Sequence, residues 1–166
     1  MANFDFSRLR DIERIAGDRM DKVVRGTLLD LSRRIVLRTP VGNPDLWITN
    51  VAGPDEPADY RDYISERGFP EGYAGGSARG NWQTSLGAPA SGEVDSTDKA
   101  GVKTLAKMWG DTKLAPGNVW YLTNNLPYIN RLEFDGWSTQ SAEGMVRISL
   151  RELDRSIDEQ IANLSG

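Results

Sequence analysis

The chain has 166 residues, enough for one domain with a hydrophobic core and too few for two of ordinary size. It contains no cysteine and no histidine, which excludes disulfides, thiolate nucleophiles, zinc–cysteine sites and histidine-based acid–base chemistry. Its formal net charge of −4 provides no global basic field for nucleic acid, and no apolar run approaches the roughly 20 residues that span a bilayer. We therefore expect a cytoplasmic protein that is not an enzyme and uses no cofactor or metal.

The first predicted element is a long helix, from Ser7 to Arg38. Pro40 ends it, because the residue before a proline is disfavoured in the helical conformation. At 1.5 Å per residue such a helix is roughly 45 Å long, which is more than a small core covers. Part of it is therefore expected to pack on another chain. Its apolar residues recur every three or four positions and form one stripe: Leu9, Ile12, Ala16, Met20, Val23, Leu28, Leu31 and Ile35.

A segment rich in glycine and proline follows the helix. Residues 40–92 hold nine of the 17 glycines and six of the eight prolines, which predicts turns and extended backbone. Within this segment we define the arm as residues 40–80. Large aromatic side chains are costly to leave in water, so the arm is expected to lie on a neighbouring subunit. Its aromatic residues are Trp47, Tyr60, Tyr63, Phe69 and Tyr73.

The alternation of large and polar side chains in residues 81–86 predicts a strand. Residues 92–95 are a candidate second strand. Apolar residues at helical spacing then predict a short helix, and its stripe consists of Val102, Leu105, Ala106 and Trp109. A row of lysines on the flank of this helix, which we interpret as a solvated face, consists of Lys99, Lys103 and Lys107.

Residues 118–123 are rich in aromatic and β-branched types and predict a further strand. A turn and a short helical segment follow, ended by Gly136 as a left-handed cap. A strand is predicted over residues 145–148, and Ser149 with Glu152 resembles a capping box that starts the closing helix. We thus predict one α+β domain: a long N-terminal helix (1–39) and a C-terminal helix packed on a small, mainly antiparallel sheet (81–166), with the extended arm between them.

Few residues are candidates for chemistry. The glycine-rich stretch 72–80 lacks the lysine and following serine or threonine of a P-loop, and it precedes a predicted strand. Glu133, Asp135 and Glu143 could form a carboxylate pair for glycoside hydrolysis, or a hard-metal site. We favour the alternative, in which they pair with arginines such as Arg131 and Arg147 or with an adjacent subunit.

Two stretches resemble a known family. Residues 39–47 (TPVGNPDLW) and 72–83 (GYAGGSARGNWQ) form the first, and residues 124–147 (NNLPYINRLEFDGWSTQSAEGMVR) form the second. Both, in this order, are similar to the signature of the neck and tail-completion proteins of tailed bacteriophages. The similarity extends over roughly residues 39–147.

The resemblance implies a non-enzymatic structural virion protein, made in the host cytoplasm, that joins head to tail. Such subunits form rings, usually hexameric, around the DNA channel, against the connector or stopper, the tail terminator or the tail tube. A tail-terminator protein that caps the tube is an alternative; a nucleic-acid-binding module and a wall-modifying enzyme using Glu133 and Glu143 are more distant ones. Trp137, on a turn after Gly136, is expected to insert into an adjacent subunit. The candidate interface residues are Trp47, Tyr73, Arg79, Trp82, Tyr128, Glu133, Trp137, Gln140, Met145 and Arg147.

Overall fold

The computed structural model describes residues 7–42, 75–111 and 119–163. Helix α1, Ser7–Arg38, confirms the predicted long helix and its end before Pro40. The last turn is closed at Thr39, whose backbone N–H donates to the carbonyl of Ile35 at 3.0 Å and whose hydroxyl donates to the same oxygen at 2.8 Å. Most of the arm, including Trp47 and Tyr73, lies outside the described residues.

The remaining described part of the chain forms short helices and two strands, which confirms an α+β fold. Strand β1, Trp82–Leu86, pairs antiparallel with β2, Trp120–Asn124, so that Trp82 lies opposite Asn124 and Leu86 opposite Trp120. The helices are α2 (Ser77–Gly80), α3 (Val102–Asp111), α4 (Ile129–Phe134), α5 (Val146–Arg151) and α6 (Leu153–Asn163), with a 3-10 turn at Thr139–Ser141.

A single cluster of buried apolar side chains joins these elements. Helix α1 contributes its C-terminal half to this cluster, and it packs against α3, α5 and α6. Because every contributing element meets the same core, the end of α1 is held from several sides. The cluster consists of Ile35, Val36, Ala78, Trp82, Leu105, Met108, Leu126, Leu132 and Met145.

Polar contacts fasten α6 and the end of α5 to α1. Glu152, between α5 and α6, accepts hydrogen bonds from Arg34 at 2.6 Å and from Arg38 at 2.8 Å. These side-chain hydrogen bonds lower the pKa of Glu152 below its ordinary value. Further along α6, the Ser156 hydroxyl donates to Asp30 at 2.6 Å. The C-terminal helices are therefore positioned along α1 by charge as well as by packing.

Two predicted strands are wrong. Residues 92–95 form a loop, because Gly92 has a φ of 75° and the N–H of Val94 donates to the Asn81 side chain at 2.7 Å rather than to a neighbouring strand. Residues 146–148 belong to α5, not to a strand. Their first N–H groups are accepted by a carboxylate, as described below, which is the arrangement that stabilises a helix start.

The predicted capping box is also wrong. Ser149 lies inside α5, where its hydroxyl donates to the carbonyl of Met145 at 2.7 Å. The helix is interrupted at Glu152, and α6 begins at Leu153. The closing helix itself is confirmed, but it starts at Leu153, three residues later than a cap at Ser149 predicts.

Helix α3 is confirmed, but its predicted buried face is wrong. Thr104, Leu105 and Met108 are buried, whereas Val102 is 66% exposed and Trp109 is 50% exposed. Asp98 explains the rotation, since its carboxylate accepts the N–H of Thr104 at 2.8 Å and so turns this side of the helix inward. The row of Lys99, Lys103 and Lys107 is exposed, as predicted.

Candidate assembly interface

One of the two family-like stretches folds into a brace at the end of α1. The guanidinium of Arg79 donates to the carbonyls of Leu37 and Thr39, both at 2.8 Å, and to that of Lys99 at 2.7 Å. Burial lowers the pKa of Arg79, but an arginine keeps its charge at any physiological pH. A cation at the carbonyl end of a helix is favourable. Arg79 therefore ties the end of α1 to the start of α3.

Trp82 completes this brace from inside the core. Its indole N–H donates to the Thr39 hydroxyl at 2.7 Å, and its ring is buried. The same Thr39 oxygen donates to the helix carbonyl of Ile35. Each polar atom of this buried group thus has a partner, as a stable core requires.

The two ends of the arm meet at one place, which we call the arm root: Val41, Gly42, Gly75, Gly76 and Gln140. The side-chain amide of Gln140 accepts the N–H of Val41 at 3.1 Å and donates to its carbonyl at 3.0 Å. Gly75 has a φ of 89°, and a Cβ there would lie 2.1 Å from the Gly42 carbonyl oxygen. Only glycine permits this conformation and this approach. The arm therefore leaves and rejoins the fold at the same point.

The other family-like stretch folds around Glu133. The carboxylate accepts the N–H groups of Met145, Val146 and Arg147 at 2.7, 2.9 and 2.9 Å, and the Arg147 guanidinium at 3.3 Å. Burial alone would raise the pKa of Glu133, but these hydrogen bonds outweigh it and hold the pKa below its ordinary value. Gly144, with a φ of 88°, lets the backbone pass within contact of Glu133. Glu133 therefore positions α5.

In the structure each of the three carboxylates lies next to an arginine. The predicted arginine partners are confirmed for Glu133 with Arg147, and for Asp135 with Arg131 at 3.9 Å. The exposed Glu143 pairs instead with Arg151 at 3.4 Å. Among the described residues, no group of three or more His, Cys, Asp or Glu side chains could hold a metal ion.

Trp137 follows Gly136, whose φ of 63° confirms the left-handed cap. Trp137 was expected to insert into an adjacent subunit because no pocket for it was foreseen in its own chain, and that reason is wrong. Its ring is half-buried against the core, 4.4 Å below the Arg131 guanidinium and edge-on to Tyr128 at a centroid distance of 6.3 Å. Both contacts are attractive for an aromatic ring.

The structure places the candidate interface residues as follows. Trp82, Glu133 and Met145 are buried by their own chain and serve the interior of the subunit. Trp47 and Tyr73 lie outside the described residues. The other candidates make intrachain contacts while keeping some exposed surface, so their contact with another subunit stays a prediction: Arg79, Tyr128, Trp137, Gln140 and Arg147.

Two exposed apolar surfaces contain none of the ten candidate interface residues, although the sequence already predicted that part of α1 packs on another chain. The first is the overhang, residues 16–24 of α1, where every residue except the half-buried Val23 is exposed and Met20 reaches 63%. The second is the α3 face, formed by Val102, Lys103, Ala106, Lys107 and Trp109, all exposed. The length of α1 was the signal for the first. A competing stripe through Thr104 and Met108 could have indicated the second.

Comparisons with family models, with curated proteins and with solved structures find no match to this chain. No helix in the described ranges combines the length and apolarity needed to cross a membrane.

Proposed function

We propose that the protein is a structural subunit of the neck of a tailed bacteriophage, a tail-completion or head–tail joining protein that forms a ring around the DNA channel. The observation that carries this proposal is the overhang. It presents an apolar helix face beyond the part of α1 that the other described elements cover.

The overhang continues the stripe that is buried further along α1. Ile35 is 3% exposed and Leu31 is half-buried against the core. Moving back along the same side of the helix by three or four residues at a time leads to Val24, which is 43% exposed, and then to Met20. An apolar stripe is a stable helix surface when something covers it. A further copy of the chain supplies that cover in the proposed ring.

A ring also explains why the overhang and the core end of α1 differ. In a heterologous interface, one patch of a subunit contacts a different patch of the next, and the ring closes when the rotation allows. The binding energy in such a ring comes from buried surface and requires no reacting group. The resemblance of residues 39–147 to neck proteins supports a location in the virion between connector and tail, after assembly in the host cytoplasm.

The test is to locate the protein and to remove it. Particles imaged with a tagged copy should show density at the neck, and native mass spectrometry of the purified protein or neck complex should show a closed ring. Phage lacking the protein should accumulate separate heads and tails. Virions that join normally without it, together with a purified protein that stays monomeric at high concentration, would overturn the proposal.

The position of the protein within the neck distinguishes the role of a joining subunit from that of a tail terminator. A joining subunit contacts the connector or stopper, whereas a terminator remains on the tail tube in preparations of free tails. Tails purified from a mutant that makes no heads provide the comparison. If each of these tails carries as many copies of the protein as one ring at the end of the tube requires, the terminator role is supported.

A further inference from the structure

We infer that the α3 face of one subunit is the docking surface for residues 43–74 of the arm of a neighbouring subunit. This inference rests on the proposed function, because it names the partner surface within that ring.

The α3 face combines exposed apolar area with positive charge. Val102 and Trp109 are 66% and 50% exposed, and Lys103 and Lys107 flank them. Residues 99–110 contain three lysines and no acidic residue. The opposite side of α3 is fixed in the core by Leu105 and Met108. The face is therefore a rigid surface that suits an acidic partner with large apolar side chains.

Residues 43–74 have the complementary composition. They contain seven acidic and two basic residues, a net charge of −5, together with five aromatic residues. Four of the acids, Asp55, Glu56, Asp59 and Asp62, lie close to Tyr60 and Tyr63. Aromatic residues that enter an apolar surface and carboxylates that meet lysines around it are the two features expected of such a contact.

The arm root sets where this segment starts. A Cβ at Gly76 would lie 2.5 Å from the Lys99 backbone nitrogen, so the root is beside the beginning of α3. A segment of 32 residues that leaves and returns at one point reaches roughly 50 Å when both halves are extended at about 3.3 Å per residue. That reach is sufficient to cross to an adjacent subunit.

Continuity with the overhang favours a second copy over the arm's own chain. The guanidinium of Arg25, next to the overhang, donates to the backbone carbonyl of Trp109 at 3.4 Å. The overhang and the α3 face therefore border each other. The proposed ring already places a second subunit on the overhang, and the same neighbour then brings its arm to the α3 face.

Reciprocal charge reversal in the full chain tests the inference. One variant reverses the arm, Asp59→Lys with Asp62→Lys, and the other reverses the face, Lys103→Glu with Lys107→Glu. Each variant alone brings like charges together, and we expect its self-association to weaken by at least about tenfold relative to the wild type. An equimolar mixture restores both pairings between unlike chains. Sedimentation and native mass spectrometry should then show assemblies that contain the two variants in equal number.

The mixture separates docking between subunits from docking within one chain. If the arm covers its own α3, mixing changes nothing, and the inference is overturned. It is also overturned if either variant self-associates as the wild type does, or if the wild type is monomeric at the highest accessible concentration. Arg151→Glu with Arg155→Glu, at the end of α5 and on α6, makes the same change of charge as the face variant and should leave association unchanged.

Two further outcomes are distinguishable. If the lysines serve nucleic acid instead, the face variant loses salt-dependent binding to a short DNA duplex and the mixture does not recover assembly, which overturns the inference. If the inference fails while the protein is still found at the virion neck, the proposed function stands and the ring uses another contact.

Discussion

The two ends of α1 show how one repeating pattern can have two environments. From Leu31 to Thr39 the helix is packed by the core and held by hydrogen bonds, including those of Arg79 to its last carbonyls and of Arg38 to Glu152. In the overhang, Met20 and Val24 on the same side of the helix are exposed. We call the part of the fold around the core end of α1, with the elements packed on it, the body.

The difference between the two ends shows that the spacing of apolar residues specifies which side of a helix is covered, and not which molecule covers it. The stripe over residues 9–35 is uniform enough to predict one continuous helix. Within this stripe the body covers Leu28, Leu31 and Ile35, whereas Ala16 and Met20 are exposed. Substitutions in the body should therefore change the free energy of unfolding of the subunit, whereas substitutions in the overhang should change its assembly.

The largest effect is expected inside the body for Glu133→Gln. The amide turns its N–H₂ group toward backbone N–H donors and removes the charge that Arg147 meets, so the variant should lose about 4 kcal/mol of unfolding free energy. Urea unfolding followed by circular dichroism measures this. Glu143→Gln, at an exposed carboxylate, is the control and should change stability by less than about 0.5 kcal/mol. Equal losses in both variants would contradict the bracing role.

The variant Ile35→Ala tests how much the core end of α1 contributes to stability. Removing this buried side chain leaves a cavity in the core, and we expect a loss of about 3 kcal/mol, or roughly 10 °C in Tm for a chain of this size. Differential scanning calorimetry provides the measurement. A shift of only one or two degrees would show that the core end of α1 is less constrained than its burial indicates.

A smaller loss is expected for Trp137→Ala. The ring is half-buried against Tyr128 and Arg131, so its removal should destabilise the subunit by about 2 kcal/mol. Trp109→Ala on the exposed α3 face is the matched control and should leave unfolding nearly unchanged while weakening association. If Trp137→Ala affects association alone, the indole side chain mainly contacts another subunit, as its position on a turn first suggested.

The stability of the body should also depend on pH in the acidic range. The folded-state pKa values of Glu133 and Asp98 both lie below their ordinary values of 4.5 and 3.8, because backbone hydrogen bonds outweigh the effect of burial. Their contribution is fully present above about pH 4.5 and is lost as the pH falls through the lower folded values. Unfolding free energies measured between pH 6 and pH 3 should decrease, and less steeply in Glu133→Gln.

The smallest effect on the isolated subunit is expected for Met20→Ala in the overhang. This side chain is 63% exposed, so the unfolding free energy should change by less than about 0.5 kcal/mol. Ring assembly should nevertheless weaken, because the variant removes apolar surface from the proposed contact. Size-exclusion chromatography with light scattering compares the two properties. A Tm loss as large as that of Ile35→Ala would break the distinction between overhang and body.

Local patterns were sufficient for the elements that depend on local information. The bounds of α1 follow from its stripe and from Pro40, and Gly136 ends α4 because the left-handed conformation is available to it. Strand β1 was predicted from the alternation of large and polar side chains and β2 from aromatic and β-branched content, each to within two residues at both ends. The α+β class follows from these elements.

The errors arose where a distant residue decides the local structure. Residues 145–148 were predicted as a strand, yet the Glu133 carboxylate, 13 residues upstream of Val146, accepts the N–H groups of Met145, Val146 and Arg147, and a helix starts there. Likewise the stripes through Val102 and through Met108 share Leu105, and Asp98 selects the second. A single sequence does not reveal such choices.

For the candidate site, the sequence identified important residues but not their task. Arg79, Trp82, Glu133 and Met145 were selected as surface for a partner, and the structure uses them to hold the chain together. Arginine and tryptophan are common in cores and at interfaces alike, so residue type could not separate the two roles.

Because Gly42 and Gly75 meet, residues 43–74 form an insertion that can be exchanged as a unit. Because the chain enters and exits at one clasp closed by Gln140, that stretch can be lengthened, shortened or exchanged with little effect on the geometry elsewhere. A change in this stretch can therefore alter which partner the protein binds without altering the fold. For the same reason, a foreign loop or a fluorescent reporter can be inserted at the arm root.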